Sequence, residues 1–289
     1  MITTLKNDFI TASLDSLGAE LTSLRLNEDG SEYLWQADAA HWGRHAPVLF
    51  PIVGRLRDNR CRIAGESYAM TQHGFARDME FSVVEQSPDA VTYCLKADAA
   101  TLKKYPYHFA LCIEYRLCVN AINVAYRVEN KMDTEMFFSI GAHPAFNCPL
   151  VSGETFADYY LEFEKMETIG NYLLEHGLLR LETKPLLKNE AVIGLNYPLF
   201  ANDALVFKGL QSRVVSLKSR KSDKSVKVMF EGFPYLGIWS KEAAPFICLE
   251  PWYGVADLAD EERAFEKKEG MQKLAAHETF RAAYRIEIR

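Results

Sequence analysis

FALCIEYRLCV, from Phe109 to Val119, and INVAYRVEN, from Ile122 to Asn130, are the two runs whose reading decides the fold. In both, apolar side chains recur at every second position. Period two is the signature of an extended chain with one face buried and the other wet. The runs are rich in β-branched and aromatic residues, which suit a pleated, half-buried surface. Only Asn120 and Ala121 separate them, so the pair reads as a tight hairpin.

The same pattern returns along the chain: Phe81 to Glu85, Val91 to Lys96, Tyr159 to Glu164, Ala204 to Phe207, Val214 to Lys218, Val226 to Glu231, Leu236 to Ser240, Ile247 to Glu250 and Phe280 to Ile288. Ala12 to Leu26 suits two short strands around a break at Gly18, and Met136 to Ile140 reads as one more. Long helical periodicity is missing. Ala99 to Lys104 predicts a single helical turn and Asp257 to Lys268 a short charged helix. Many short strands with turn signals between them predict an all-β fold, a large antiparallel sandwich or barrel rather than βαβ units. Without a repeat, low-complexity segment or linker, residues 1–289 read as a single domain.

Composition narrows the function classes. The 33 basic and 39 acidic residues leave a net charge of −6, which argues against nucleic acid or an anionic membrane as partner. The most basic run, KSRKSDKSVK (Lys218 to Lys227), reads as a solvated turn between strands. No secretory signal and no membrane span are expected from the N-terminal residues and the apolar runs. The six cysteines form no Cys-x-x-Cys pair and lie mostly within apolar or alternating runs. Reduced, partly buried thiols in a cytoplasmic protein are the expectation. The seven histidines show no compact ligand spacing, so no metal site is expected.

Chemistry therefore has to come from polar residues at the ends of apolar runs. In APVLFPIVGRLRD (Ala46 to Asp58), Gly54 and two prolines interrupt an apolar segment and deliver Arg55 and Arg57 just beyond it. A guanidinium there is either a donor fork for substrate oxygens or a surface cation lying over the core. In QHGFARD (Gln72 to Asp78), His73 and Gly74 mark a turn, and Arg77 stands near Asp78 and Glu80 as an ion-pair partner. In FFSIGAHPAFNCP (Phe137 to Pro149), His143 is held between Ala142 and Pro144, which biases it toward an extended backbone. In FICLEPWYGVAD (Phe246 to Asp257), Glu250 ends a strongly apolar strand. A carboxylate there is costly unless it is paired or functional, and Trp252 and Tyr253 offer flat faces beside it. A histidine, a glutamate and several donors, without a nucleophile motif or phosphate loop, are the equipment of proton transfer.

FPIVGRLRD, QHGFARD, YPYHF (Tyr105 to Phe109), AHPAF (Ala142 to Phe146) and LEPWYG (Leu249 to Gly254) stand here in an order that resembles the aldose 1-epimerase, or galactose mutarotase, family. The likeness covers nearly the whole chain and is greatest to the compact bacterial, mutarotase-related branch. The resemblance implies a large antiparallel β-sandwich with a sugar in its concave face, an isomerase needing no metal or cofactor, and a small-molecule sugar as partner. Residue by residue it implies Glu250 as general base, His143 as general acid and His73 as a second active-site histidine near the ring oxygen. Arg55 falls in the block of a substrate-binding arginine. The pair Asn59–Arg60 resembles the family's Asn-Arg at a different spacing, leaving Arg57 or Arg60 as alternatives. Asp203, in FANDALVF, resembles an aspartate that holds sugar hydroxyls.

Two other readings stay open. Arg55, Arg57 and Arg77 would suit a hexose 6-phosphate undergoing the same proton chemistry. A sugar-binding or sensing module on the same scaffold would bind without accelerating anomer exchange.

Overall fold

The hairpin expected over residues 109–130 is present, displaced by one residue. In the computed structural model, which describes all 289 residues, strands Phe109–Cys118 and Ala121–Asn130 pair antiparallel with Ala121 opposite Cys118. The turn is therefore Val119–Asn120, with Val119 in the left-handed region at φ 56°. The alternation places Leu111, Ile113 and Tyr115 in the core together with Val124, Tyr126 and Val128 of the partner. Each such side chain contributes roughly 1.5–3 kcal/mol by leaving water.

These strands belong to a fifteen-stranded, antiparallel sheet. One end begins with Val48–Leu49, Ile140–Ala142 and Phe246–Tyr253; the other ends with Phe109–Cys118, Ala90–Lys96 and Ser82–Gln86. The sheet curls so that its two ends face each other. Phe50, next to the first strand in that order, has its ring 5.0 Å from the ring of Phe109, near the opposite end. Phe138, on a separate two-stranded sheet, packs on Phe280 of an interior strand at 5.4 Å. The connection between the halves is Tyr159–Glu175, whose first residues pair with Val214–Ser219 and whose Tyr172 pairs with Val206. Sequence patterning finds only the first six residues of this strand, because three of its four register shifts fall beyond Glu164 and interrupt the alternation. Its long partner, Leu178–Gly194, is half exposed and shows little apolar periodicity.

Other elements settle as expected or differ for local reasons. Ile10–Asp15 and Glu20–Leu26 are the two strands around Gly18, joined by Ile2–Lys6 into a separate three-stranded sheet. Ala99–Leu102 is a helical turn, started by an Asp98–Thr101 capping box. The charged helix expected over Asp257 to Lys268 is reduced to a 3-10 turn at Phe265–Lys267. Asp257 instead accepts the Arg57 backbone N–H and pairs with the buried Lys268 ammonium, which holds the segment against the Arg57 loop. Met136 to Ile140 splits between two sheets: Met136–Phe138 pairs with Gln272–Leu274, and Ile140–Ala142 joins the main sheet. The expectation of six reduced cysteines is corrected as well. Cys94 stands directly opposite Cys112 on adjacent strands, and their sulfurs are bonded. The other four are free. Single-strand patterning cannot see this pair, because it arises from strand register. No helix is long and apolar enough to cross a membrane.

Candidate active site

Strand Phe246–Tyr253 lies between Tyr235–Trp239 on one side and the segment 140–147 on the other. Its alternation divides its neighbours. Ile247 and Leu249 point into the main core, whereas Phe246, Cys248, Glu250 and Trp252 share the opposite face. The segment 140–147 pairs with it twice, as Gly141 opposite Trp252 and Ala145 opposite Cys248. Both pairings keep one register, and in that register His143 stands opposite Glu250. Pro144, which accepts the Leu249 backbone N–H, keeps the intervening residues close to the strand. The imidazole and the carboxylate are 107 residues apart in the chain and are brought together by strand register.

His143 Nε2 lies 3.2 Å from Glu250 Oε2. The two are 7% and 1% exposed, and neither Glu250 Oε2 nor His143 Nδ1 has a hydrogen-bonding protein partner. Trp42 stacks on the imidazole with ring centroids 4.8 Å apart, and Trp239 meets it edge-on at 5.9 Å. On the other side of Glu250 stands Gly237. A Cβ there would come within 2.3 Å of the Trp252 ring, so glycine is what lets this indole lie flat beside the carboxylate. The Trp252 indole N–H donates to the Ala142 carbonyl at 3.2 Å.

His73 completes the group. The loop around it is laced to Phe50–Gly54: Phe50 N–H donates to the His73 carbonyl, and His73 N–H donates to the Gly54 carbonyl. His73 has φ 68°, and a Cβ on Gly74 would meet the Phe50 carbonyl oxygen at 2.2 Å. Gly54 N–H donates to His73 Nδ1 at 3.2 Å, and the Gln72 side-chain amide lies 3.2 Å from Nε2 on the other side of the ring. The His73 and His143 rings are perpendicular, 5.5 Å apart.

These side chains line a cavity of about 430 Å³, a volume within the range of small-molecule sites. His73, Arg77, His143, Asp203 and Glu250 all contribute to its wall. Arg77 donates to the Gln72 carbonyl at 2.8 Å rather than pairing with an acid; Asp78 is taken by Arg44 at 2.8 Å. Arg55 does not line this cavity. It lies in a contiguous bay with Gln72, His176 and Asp203, donating to the His176 carbonyl at 3.1 Å. Arg57 and Arg60 are excluded from the site: both line a separate hollow, and Arg57 spends its guanidinium on the Leu258 and Ala259 carbonyls. Tyr253 is turned the other way, its ring packed on Phe233 and Phe280. Reading the blocks alone missed Trp42, Arg44, Gln72 and Trp239. Trp42 and Arg44 lie between His41 and His45, a stretch with little periodicity, and only their aromatic and cationic character marks them.

Burial dominates the electrostatics. It pushes Glu250 well above the usual carboxylate range, and the negative charge of Asp203 adds to the effect. It pulls His143 down to about 3, with the Arg77 and Arg44 guanidiniums opposing a further positive charge. His73 is lowered by the same causes, together with His143. Burial also lowers Arg77 to about 10, so it stays charged at neutral pH. Both shifts favour the uncharged forms, a neutral imidazole beside a protonated carboxyl. Two such adjoining groups can give a proton at one point of a ligand while taking another elsewhere.

Known proteins carry the same fold and pattern. The aldose 1-epimerase family matches residues 1–265. A protein called LacX from Lactococcus lactis subsp. lactis is 41% identical over 295 residues, covering 98% of each chain. A galactose mutarotase related enzyme from Lactobacillus acidophilus superposes with a TM-score of 0.96 at 34% identity, covering 100% of this chain and 97% of that one. A galactose mutarotase-like protein from Lactobacillus casei gives 0.94 at 33% identity, with both chains fully covered. This chain belongs to the aldose 1-epimerase family.

Proposed function

We propose that the protein is an aldose 1-epimerase that interconverts the α and β anomers of a hexopyranose. The observation that carries the reading is the buried His143–Glu250 pair, 3.2 Å apart in the wall of a sugar-sized cavity. Ring opening of a hemiacetal removes the proton of the C1 hydroxyl and delivers one to the ring oxygen. Glu250 takes the first and His143 gives the second. The open aldehyde rotates about its C1–C2 bond, and the two groups exchange roles to close the ring on the other carbonyl face. The forms with one proton on Glu250 or on His143 have the same composition. Proton transfer within the pair makes either one available to the sugar. Each positioned acid or base contributes ~10²–10⁴-fold. His73 and Asp203 at the rim act as hydroxyl partners, and Arg55 serves any group that reaches the adjoining bay.

A hexose 6-phosphate is the second reading, favoured by one feature: Arg44 and Arg77 both line the cavity, and Arg77 Nε has no hydrogen-bonding protein partner. Anomer-exchange NMR on glucose, galactose and their 6-phosphates tests both. Acceleration on free hexoses supports the first reading, and a strong preference for phosphorylated sugar replaces it with the second. Saturable binding without acceleration on any of them would leave a sugar-binding module instead.

A further inference from the structure

The face that carries Glu250 also carries Cys248, and the mechanism makes no use of it. Glu250 and Cys248 are two residues apart on one strand, so both point the same way. His143 approaches them from the neighbouring segment. Their ligand atoms, one from each side chain, all lie within 4.8 Å of one another. Cys248 is fully buried, and its sulfur is free of any disulfide. Glu250 Oε2 is buried without a hydrogen-bond partner.

The geometry points to a binding site for a borderline-soft divalent cation, of the zinc and cadmium kind, formed by His143, Cys248 and Glu250 and acting as an inhibitory site. A thiolate, an imidazole nitrogen and a carboxylate oxygen are the donor types such ions select. With metal–ligand distances of about 2.0–2.3 Å, a tetrahedral ion separates its ligands by roughly 3.3–3.6 Å. The three atoms need to close by on the order of 1 Å, within reach of side-chain rotation. The fourth position is left to water. The seven histidines gave no such signal, because two of the three ligands are not histidine and the chain separates His143 from Cys248 by 105 residues.

To bind as a thiolate, Cys248 gives up its proton to solvent. The ion then occupies the atoms that move protons on the sugar, so binding removes turnover rather than assisting it. The inhibitory consequence rests on the proposed epimerase activity, whereas the site itself does not.

Cadmium titration of the intact protein tests the site directly. The expected result is one ion per chain and an ultraviolet sulfur-to-cadmium charge-transfer band. Cys248→Ala is expected to lose the band and bind at least tenfold more weakly. Cys118→Ala, which removes the exposed free thiol, keeps both. Glu250→Gln keeps the thiol and is used for binding alone; it too should bind at least tenfold more weakly. In turnover assays Zn²⁺ should inhibit competitively with sugar, and Cys248→Ala should keep near-normal basal rates while becoming at least tenfold less sensitive. A band that persists in Cys248→Ala, or equal Zn²⁺ inhibition of both proteins, overturns the assignment. If Cys248→Ala does not fold, Cys248→Ser and Glu250→Gln decide by the same readouts. A protein with no epimerase activity on any sugar still shows or lacks the cadmium band, so the two proposals fail separately.

Discussion

His143 Nε2 stands 3.2 Å from Glu250 Oε2, and both side chains are buried. An isolated imidazole titrates near 6.5. Here burial lowers His143 to about 3 and raises Glu250, so the pair gains a second proton only in strong acid and loses its own only once Glu250 ionises. The rate of catalysed anomer exchange, corrected for the spontaneous reaction, should therefore be flat through pH 6.5. It should fall near pH 3 on one side and on the alkaline side on the other. A clear inflection of kcat/KM at the ordinary imidazole value would refute this picture of the pair.

Glu250→Gln should cost ~10²–10⁴ in turnover while sugar binding persists. It should also stabilise the fold at alkaline pH. Glu250 has a folded-state pKa above its unfolded value, so its stabilising contribution is complete below about 4.5 and is lost as pH rises toward the folded value. Over that window wild type loses roughly 1.4 kcal/mol per pH unit relative to the glutamine variant. His143 is common to both proteins, so the difference reports Glu250. Urea unfolding of both proteins at pH 4.5 and in steps above it measures the gap, and a gap that does not widen with pH would contradict the burial argument.

Trp42 holds the imidazole by stacking at 4.8 Å. Trp42→Ala frees the ring to turn away from Glu250, and misplacing a catalytic group by about 1 Å costs on the order of 10²-fold. We expect kcat to fall by about 10–100-fold, with substantial rescue by Trp42→Phe, which restores a stacking face. A loss that phenylalanine does not rescue would point to a direct sugar contact by the indole instead.

Gly237→Ala places a methyl within 2.3 Å of the Trp252 ring. The backbone there needs no left-handed conformation, so the cost is overpacking alone, about 1–3 kcal/mol. Trp252 has to move away from Glu250, and activity should fall with stability. Denaturant midpoints and tryptophan fluorescence report the two effects together.

Arg77→Ala discriminates the two sugar classes. If the 6-phosphate is the substrate, removing this guanidinium costs a charged hydrogen bond, about 1.5–3 kcal/mol, or roughly 10–100-fold in kcat/KM. Free hexose should lose much less. Equal losses on both sugars would assign Arg77 to the shape of the cavity rather than to phosphate.

The β character of this chain is local information. Phe109 to Val119 and Ile122 to Asn130 alternate because each residue must face either core or water, and that choice is written one position at a time. Glu250 was legible for the same reason: a carboxylate among Ile247, Cys248 and Leu249 contradicts its surroundings. His143, His73, Arg77 and Asp203 were also found, through their motifs, and all reach the cavity wall. What distinguishes Arg77 from Arg57 is tertiary. Arg57 sits three residues past Gly54 and looks equally available, but the Leu258 and Ala259 carbonyls hold it elsewhere. The bonded pair Cys94–Cys112, the stacking of Trp42 on His143, and the meeting of Cys248, His143 and Glu250 all depend on which residues fold or strand register sets side by side. Sequence patterning states which way a side chain must face; only pairing between distant segments decides which other side chain it meets there.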